Sequence, residues 1–129
     1  MFSVSHIHHI AIICSDYGVS KHFYSELLGF EIIKETYRET RQSYKLDLAI
    51  NETQQIELFS FPSAPARPSY PEAQGLRHLA FAAQDLEACI KHLNQHGVIT
   101  EAIRVDELTG KKFTFFADPD NLPIELYEA

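Results

Sequence analysis

Apolar residues in this chain recur every second position, then every fourth, then every second again, and the whole cycle runs twice. Residues 7–13 read as a strand, with Ile10 and Ile12 on one face and His9, Ala11 and Ile13 on the other. Ser15-Asp16 follows as a helix N-cap pair. Val19, Phe23 and Leu27 form a stripe at helical spacing, and Gly29 is a C′ glycine. Three further strands are predicted over 31–37, 43–50 and 55–61, with Asn51-Glu52 as the turn before the last. The same grammar then returns. A strand is predicted over 76–82, with Leu79 and Phe81 opposing His78, Ala80 and Ala82. Asp85 caps a helix whose stripe is Leu86, Ile90 and Leu93, and Gly97 ends it. Strands are predicted over 100–105, 112–117 and 123–127, with Asp118-Pro119-Asp120-Asn121 as the matching turn.

Each half therefore reads βαβββ. The fold class expected is α+β, with two βαβββ modules forming an open, cupped, mixed sheet. The modules are expected over 5–61 and 76–129 of a single domain spanning 1–129. Between them Pro62, Pro65, Pro68 and Pro71 recur every three residues, which suits an extended, polyproline-like linker over 62–75.

A length of 129 residues suits one domain of ordinary size, and 45% hydrophobic residues rule out wholesale disorder. The net charge of −7, with scattered Lys and Arg, gives no sign of nucleic-acid binding. No apolar run approaches the length of a membrane span. The N-terminal residues form no charged-then-apolar signal region, so a cytoplasmic protein is expected. Cys14 and Cys89 belong to no Cys-x-x-Cys pair and read as reduced, buried thiols.

The repeat carries candidate chemistry. His9 and His78 stand 69 positions apart (78 − 9), and Glu57 and Glu125 stand 68 apart (125 − 57). All four sit within apolar runs, where a polar side chain needs a partner. Two half-barrels related by a pseudo-twofold would bring them to a common centre. Two imidazoles and two carboxylates suit one divalent ion, Ni²⁺, Zn²⁺, Co²⁺, Mn²⁺ or Fe²⁺, and the lack of cysteine ligands argues against a structural zinc site. Four protein ligands on an octahedral ion leave two positions for neighbouring substrate oxygens. Such a centre would polarise a carbonyl and stabilise an enediolate, while Glu57 or Glu125 moves the proton.

Other residues fit around that centre. Arg38, Arg41, Lys45 and Arg104 could hold a substrate carboxylate or phosphate. Phe59, Phe61 and Tyr127 would form walls. His6 and His8 are expected to face away from His9, and His92 and His96 to lie on a solvated helix face. The Asp118–Asn121 stretch lacks the glycine and terminal glutamate of a calcium loop. No phosphate-cradling glycine loop or Ser-His-Asp pattern is present.

These motifs resemble the vicinal oxygen chelate superfamily, which includes glyoxalase I. The resemblance rests on His9-Ile10-Ala11-Ile12 with Leu27-Leu28-Gly29-Phe30, on Ile56-Glu57-Leu58-Phe59, on His78-Leu79-Ala80-Phe81, and on Asp118-Pro119-Asp120 with Ile124-Glu125-Leu126. Tyr37-Arg38-Glu39-Thr40-Arg41 and the segment from Arg104 to Phe116 resemble a small bacterial, glyoxalase-I-like group described as YaeR-like. The resemblance implies paired βαβββ modules, a homodimer, and metal ligands at His9, Glu57, His78 and Glu125. It also implies a lyase or isomerase with Glu125 or Glu57 as general base, acting on a small α-oxygenated substrate such as the hemithioacetal of methylglyoxal and a thiol. Epimerase, dioxygenase and thiol transferase chemistry, and metal-free sequestration of a small molecule, occur on the same scaffold. Bacterial glyoxalase I enzymes usually carry an Arg four residues after the first His ligand and an Asn four after the first Glu ligand, both contacting glutathione. Here Ile13 and Phe61 stand in those places, so a substrate without glutathione is open.

Overall fold

Alternating burial decides the strands. The computed structural model describes residues 1–129, which divide into two compact units, Met1–Ala66 and Arg67–Ala129. The boundary falls inside the proline-rich stretch.

In the first unit, β1 (His9–Cys14) leads through α1 (Tyr17–His22) to β2 (Glu31–Arg38), β3 (Ser43–Ala49) and β4 (Gln55–Ser60). The sheet order is β1-β4-β3-β2, with β1 parallel to β4 and the other pairs antiparallel. Leu46, Leu48, Ile56 and Leu58 are fully buried and alternate with half-buried Lys45, Asp47, Glu57 and Phe59. Burying each of these apolar side chains contributes on the order of 1.5–3 kcal/mol. Asp16 caps α1 by accepting from the Val19 amide, and Gly29 takes a positive φ of 76° just past the helical segment.

The helical stripe differs from expectation. Val19 is 51% exposed, and the buried face is Ser20, Phe23 and Tyr24. The last turns, Phe23–Leu27, are π-helical. A π turn widens the residue spacing, so a strict four-residue stripe does not stay on one face.

The second unit repeats the plan with β5 (Leu79–Ala83), α2 (Leu86–Gln95), β6 (Arg104–Val105), β7 (Lys112–Ala117) and β8 (Pro123–Glu128). The order is β5-β8-β7-β6, with β5 parallel to β8. Leu79, Leu86, Leu93, Phe116, Ile124 and Leu126 form the core. Asp85 caps α2 through the Ala88 amide. Each unit thus forms its own four-stranded mixed sheet.

Two elements fall furthest short of the pattern. The strand expected from residue 76 begins at Leu79, because the Leu76 carbonyl accepts from Arg67 at 2.9 Å rather than joining the ladder. The strand expected over 100–105 shrinks to Arg104–Val105. Its first part is tied to β7 by the Glu101 amide donating to the Phe115 carbonyl and by the Thr114 hydroxyl donating to the Glu101 carbonyl. Ile99 and Ile103 face solvent there instead of alternating. Neither cysteine forms a disulfide; Cys14 is buried as expected, while Cys89 is only partly so. No helix is long and apolar enough to cross a membrane.

Candidate metal centre

In the first unit, strand alternation puts His9, Ala11, Glu57 and Phe59 on the face opposite the buried Ile12, Ile56 and Leu58. Glu57 lies in register with Ala11 of β1 and Asp47 of β3. The alanine leaves room, and His9 Nδ1 reaches to 3.4 Å from Glu57 Oε2. The side chains are 41% and 13% exposed respectively. Lys45 Nζ sits 3.0 Å from Asp47 Oδ1 and 3.9 Å from Glu57 Oε1. Its approach to Asp47 Oδ1 is off the hydrogen-bonding axis, so that buried oxygen has a charge beside it but no hydrogen bond.

The second unit repeats the pair. Glu125 lies in register with Ala80 of β5 and Phe115 of β7. His78 Nε2 is 3.1 Å from Glu125 Oε1, with the side chains 24% and 14% exposed. The Phe115 ring meets the His78 ring edge-on, with centroids 5.0 Å apart. Where the first unit places Lys45 and Asp47, the second places Phe113 and Phe115.

The sequence pattern thus pairs each histidine with the glutamate of its own half. Neither unit by itself gathers three or more metal-ligating side chains. Each offers two donors whose spacing fits an ion. Ligands about 2.1 Å from a metal and at right angles to one another stand about 3.0 Å apart, close to the 3.1 and 3.4 Å observed.

The remaining candidates fall into two groups. Arg38 lies over Phe59 at 5.0 Å and Phe61 at 6.0 Å and donates to Ser43, while Arg41 lies over Phe61 at 5.1 Å. These arginines therefore cover the aromatic wall of the first unit. Arg104 lies over Phe113 at 5.0 Å and Phe115 at 5.5 Å and pairs with Glu101 at 2.8 Å. Tyr127 stacks on Phe113 and donates to Asp106 at 2.9 Å, and it also bonds Thr109. The Leu108 amide first, then this tyrosine, hold the Asp106 carboxyl below the usual range.

One expectation is overturned. His8 does not face away from His9: the two Nδ1 atoms are 3.0 Å apart and the rings meet edge-on. Both residues precede or begin the ladder, where strict alternation does not yet hold. Reasoning from pattern also missed Asp47, and Arg67 and Arg77 beside His78. Asp47 was open to detection, since it shares a strand face with Lys45. Arg67 lies outside any periodic segment, and Arg77 lies in the part of the predicted 76–82 strand that does not join the ladder.

Two four-stranded mixed sheets of this order match the glyoxalase fold. The chain belongs to the Glyoxalase/Bleomycin resistance protein/Dioxygenase superfamily, whose family model matches residues 6–126. It is 62% identical over 122 residues to the uncharacterized protein YwkD of Bacillus subtilis (strain 168), with 95% of each chain covered. It is 59% identical over 128 residues to the uncharacterized protein YaeR of Escherichia coli (strain K12), with 99% of each covered. Among solved structures, a glyoxalase family protein from Enterococcus faecalis matches with a TM-score of 0.88 and 53% identity, over 95% of this chain and 97% of that one.

Proposed function

We propose that the protein is a metal-dependent, glyoxalase I-like lyase or isomerase that moves a proton next to a carbonyl of a small α-oxygenated substrate. The observation that carries this reading is the matched spacing of the His9–Glu57 and His78–Glu125 pairs. His9, Glu57, His78 and Glu125 would hold one divalent ion, from one chain or from two copies in a homodimer. Such an ion supplies Lewis acidity to bound substrate oxygens.

The side chains do the rest. His9 and His78 would each supply an imidazole nitrogen to the ion, and Glu57 and Glu125 a carboxylate oxygen. Glu125 removes a proton from the substrate carbon and returns it to the neighbouring carbon. General acid–base action of this kind contributes about 10²–10⁴-fold. Phe113, Phe115 and Tyr127 exclude water from the Glu125 side. With Ile13 and Phe61 where glutathione contacts are usual, the thiol carried by the substrate is small or absent. The cytoplasm supplies such metabolites and fits the reduced cysteines.

The test combines metal titration with turnover. Titrated with Ni²⁺, Zn²⁺, Mn²⁺ and Fe²⁺ in turn, the protein binds one ion per chain, and one ion restores isomerisation of methylglyoxal–thiol hemithioacetals. His9→Ala and His78→Ala each lower metal affinity by more than the roughly 10–100-fold that loss of an outer-shell partner costs. Binding of two ions per chain, one at each pair, would sink the shared centre.

A further inference from the structure

The second unit holds a cleft of about 140 Å³ whose wall includes His78, Phe115, Arg67, Arg77 and Arg104. Two of its three arginines are already matched by acids: Arg77 with Glu72 at 3.3 Å and Arg104 with Glu101 at 2.8 Å. Arg67 is not. Its Nε donates to the Ser69 hydroxyl at 2.7 Å and its Nη2 to the Leu76 carbonyl at 2.9 Å. Both acceptors are neutral. Ser69 is buried and anchored in turn on the Asn121 carbonyl at 2.6 Å. The guanidinium is therefore held in place while its charge is left to the cleft. A guanidinium has five donors, and these two bonds leave others for a ligand.

A second groove, of about 250 Å³, adjoins this cleft and shares Tyr70, Glu101, Phe115 and Pro123 with it. Ile99 and Ala117 add apolar surface there, beside Thr100 and Asn121, and Ile99 is 88% exposed. A fixed cation beside a groove of apolar side chains suits one molecule with an anionic end and a hydrocarbon arm.

We propose that this cleft is the carboxylate subsite of the substrate, with Arg67 binding the carboxylate, Arg104 flanking it, and the Ile99 groove receiving an apolar chain. The inference deepens the functional reading, since it places an acid next to His78. The substrate class is then a short- to medium-chain organic acid bearing oxygen near its carboxylate. Arg67 acts as a binding and specificity residue, with no part in proton transfer.

The experiment is calorimetric titration of the full chain, metal-free and metal-loaded, with hexanoate, methyl hexanoate, acetate and hexyl phosphate. Hexanoate is expected to bind at least about ten-fold tighter than its uncharged ester, and tighter than acetate. Arg67→Gln removes the acid-over-ester preference and Arg67→Lys restores most of it. Ile99→Asp, at an exposed position, abolishes the preference for hexanoate over acetate and leaves the thermal melt unchanged. Arg104→Gln weakens hexanoate with a fold intact by circular dichroism, which keeps the test sharp should Arg67→Gln unfold. Equal binding of acid and ester, or a preference that survives Arg67→Gln, overturns the subsite. A phosphate ester preferred ten-fold over hexanoate overturns the carboxylate assignment. Acid binding without any metal uptake leaves the subsite standing and removes the metal-centre reading; metal uptake without acid preference does the reverse.

Discussion

The two units present the same His–Glu pair in opposite surroundings. Around Glu57 stand Lys45 and Asp47, and His9 is the more exposed of the histidines at 41%. Around Glu125 stand Phe115 and Tyr127, with the Phe115 and His78 rings perpendicular to one another. The backbone registers are equivalent, since each glutamate has an alanine beside it on the parallel strand. The clearest difference lies on the third strand of each unit, where Lys45 and Asp47 of β3 occupy the places that Phe113 and Phe115 of β7 occupy in the second. A duplicated scaffold can therefore keep one geometry twice while dividing the labour. A carboxylate walled by aromatics is a better proton carrier than one already shared with a lysine, because fewer competing charges stand near the reacting carbon.

The largest expected effect breaks that comparison directly. Glu125→Gln lowers kcat by at least about 10²-fold, the low end of what a general base contributes, with metal content checked by elemental analysis. Glu57→Gln costs metal affinity first and leaves kcat of the metal-saturated enzyme within about ten-fold of the parent, well inside that range. If the two variants lose kcat equally at saturating metal, the division of labour is wrong. If Glu125→Gln stays fully active, its role as base is gone.

The cores sharpen the comparison at the next level. Leu58 and Leu126 occupy matching places one residue after the two glutamates, and Leu58 is fully buried while Leu126 retains 8% exposure. Truncating a buried leucine costs about 2–5 kcal/mol, more where the site cannot collapse. Leu58→Ala is expected toward the upper part of that range and Leu126→Ala toward the lower. Denaturant unfolding of both variants measures it, and a reversed order would show that the second core is the more tightly packed.

These contrasts lie at different distances from the sequence. The doubled βαβββ pattern is legible in the apolar spacing because both cores are built by simple alternation, as in Ile56 and Leu58 or Ile124 and Leu126. The pairing of His9 with Glu57 and of His78 with Glu125 follows from the same alternation once β1 and β5 run parallel to the last strand of their units. What pattern alone could not show is set by contacts off the ladder. Residues 100–103 lose strand geometry to bonds from Thr114 and Glu101. The segment before β5 is diverted by Arg67. Val19 turns outward where α1 runs into a π turn. Asp47 carries no motif of its own and matters only through its register with Glu57.

The smallest expected effect concerns how each helix is tied to its sheet. In the first unit Tyr17 and Lys21 of α1 both donate to Glu35 of β2, Lys21 at 2.8 Å, and the Tyr17 ring stacks on Tyr44 at 4.3 Å. In the second unit α2 has the looser pair of Glu87 with Lys112 at 3.5 Å. Lys21 first, then Tyr17, hold the Glu35 carboxyl below its ordinary 4.5, while burial first and then Glu35 push the Tyr17 hydroxyl above its ordinary 10.0. A lowered carboxyl favours the fold above its unfolded value, and that contribution fades as pH falls through the lowered one. A raised hydroxyl favours the fold fully below 10.0, and its contribution fades as pH climbs beyond. Because the Lys21–Glu35 pair is 37% exposed on both sides, the acid-side loss stays under about 1 kcal/mol. Thermal melts from neutral pH down through the carboxylate range should show a shallower acid decline for Glu35→Gln than for the parent. Tyr17→Phe, which keeps the stack on Tyr44, should flatten the decline above pH 10. Amide exchange should place both changes in α1 and leave α2 unaltered. An acid response shared equally by the two helices would mean that the Glu35 cluster does not set the pH behaviour of the first unit.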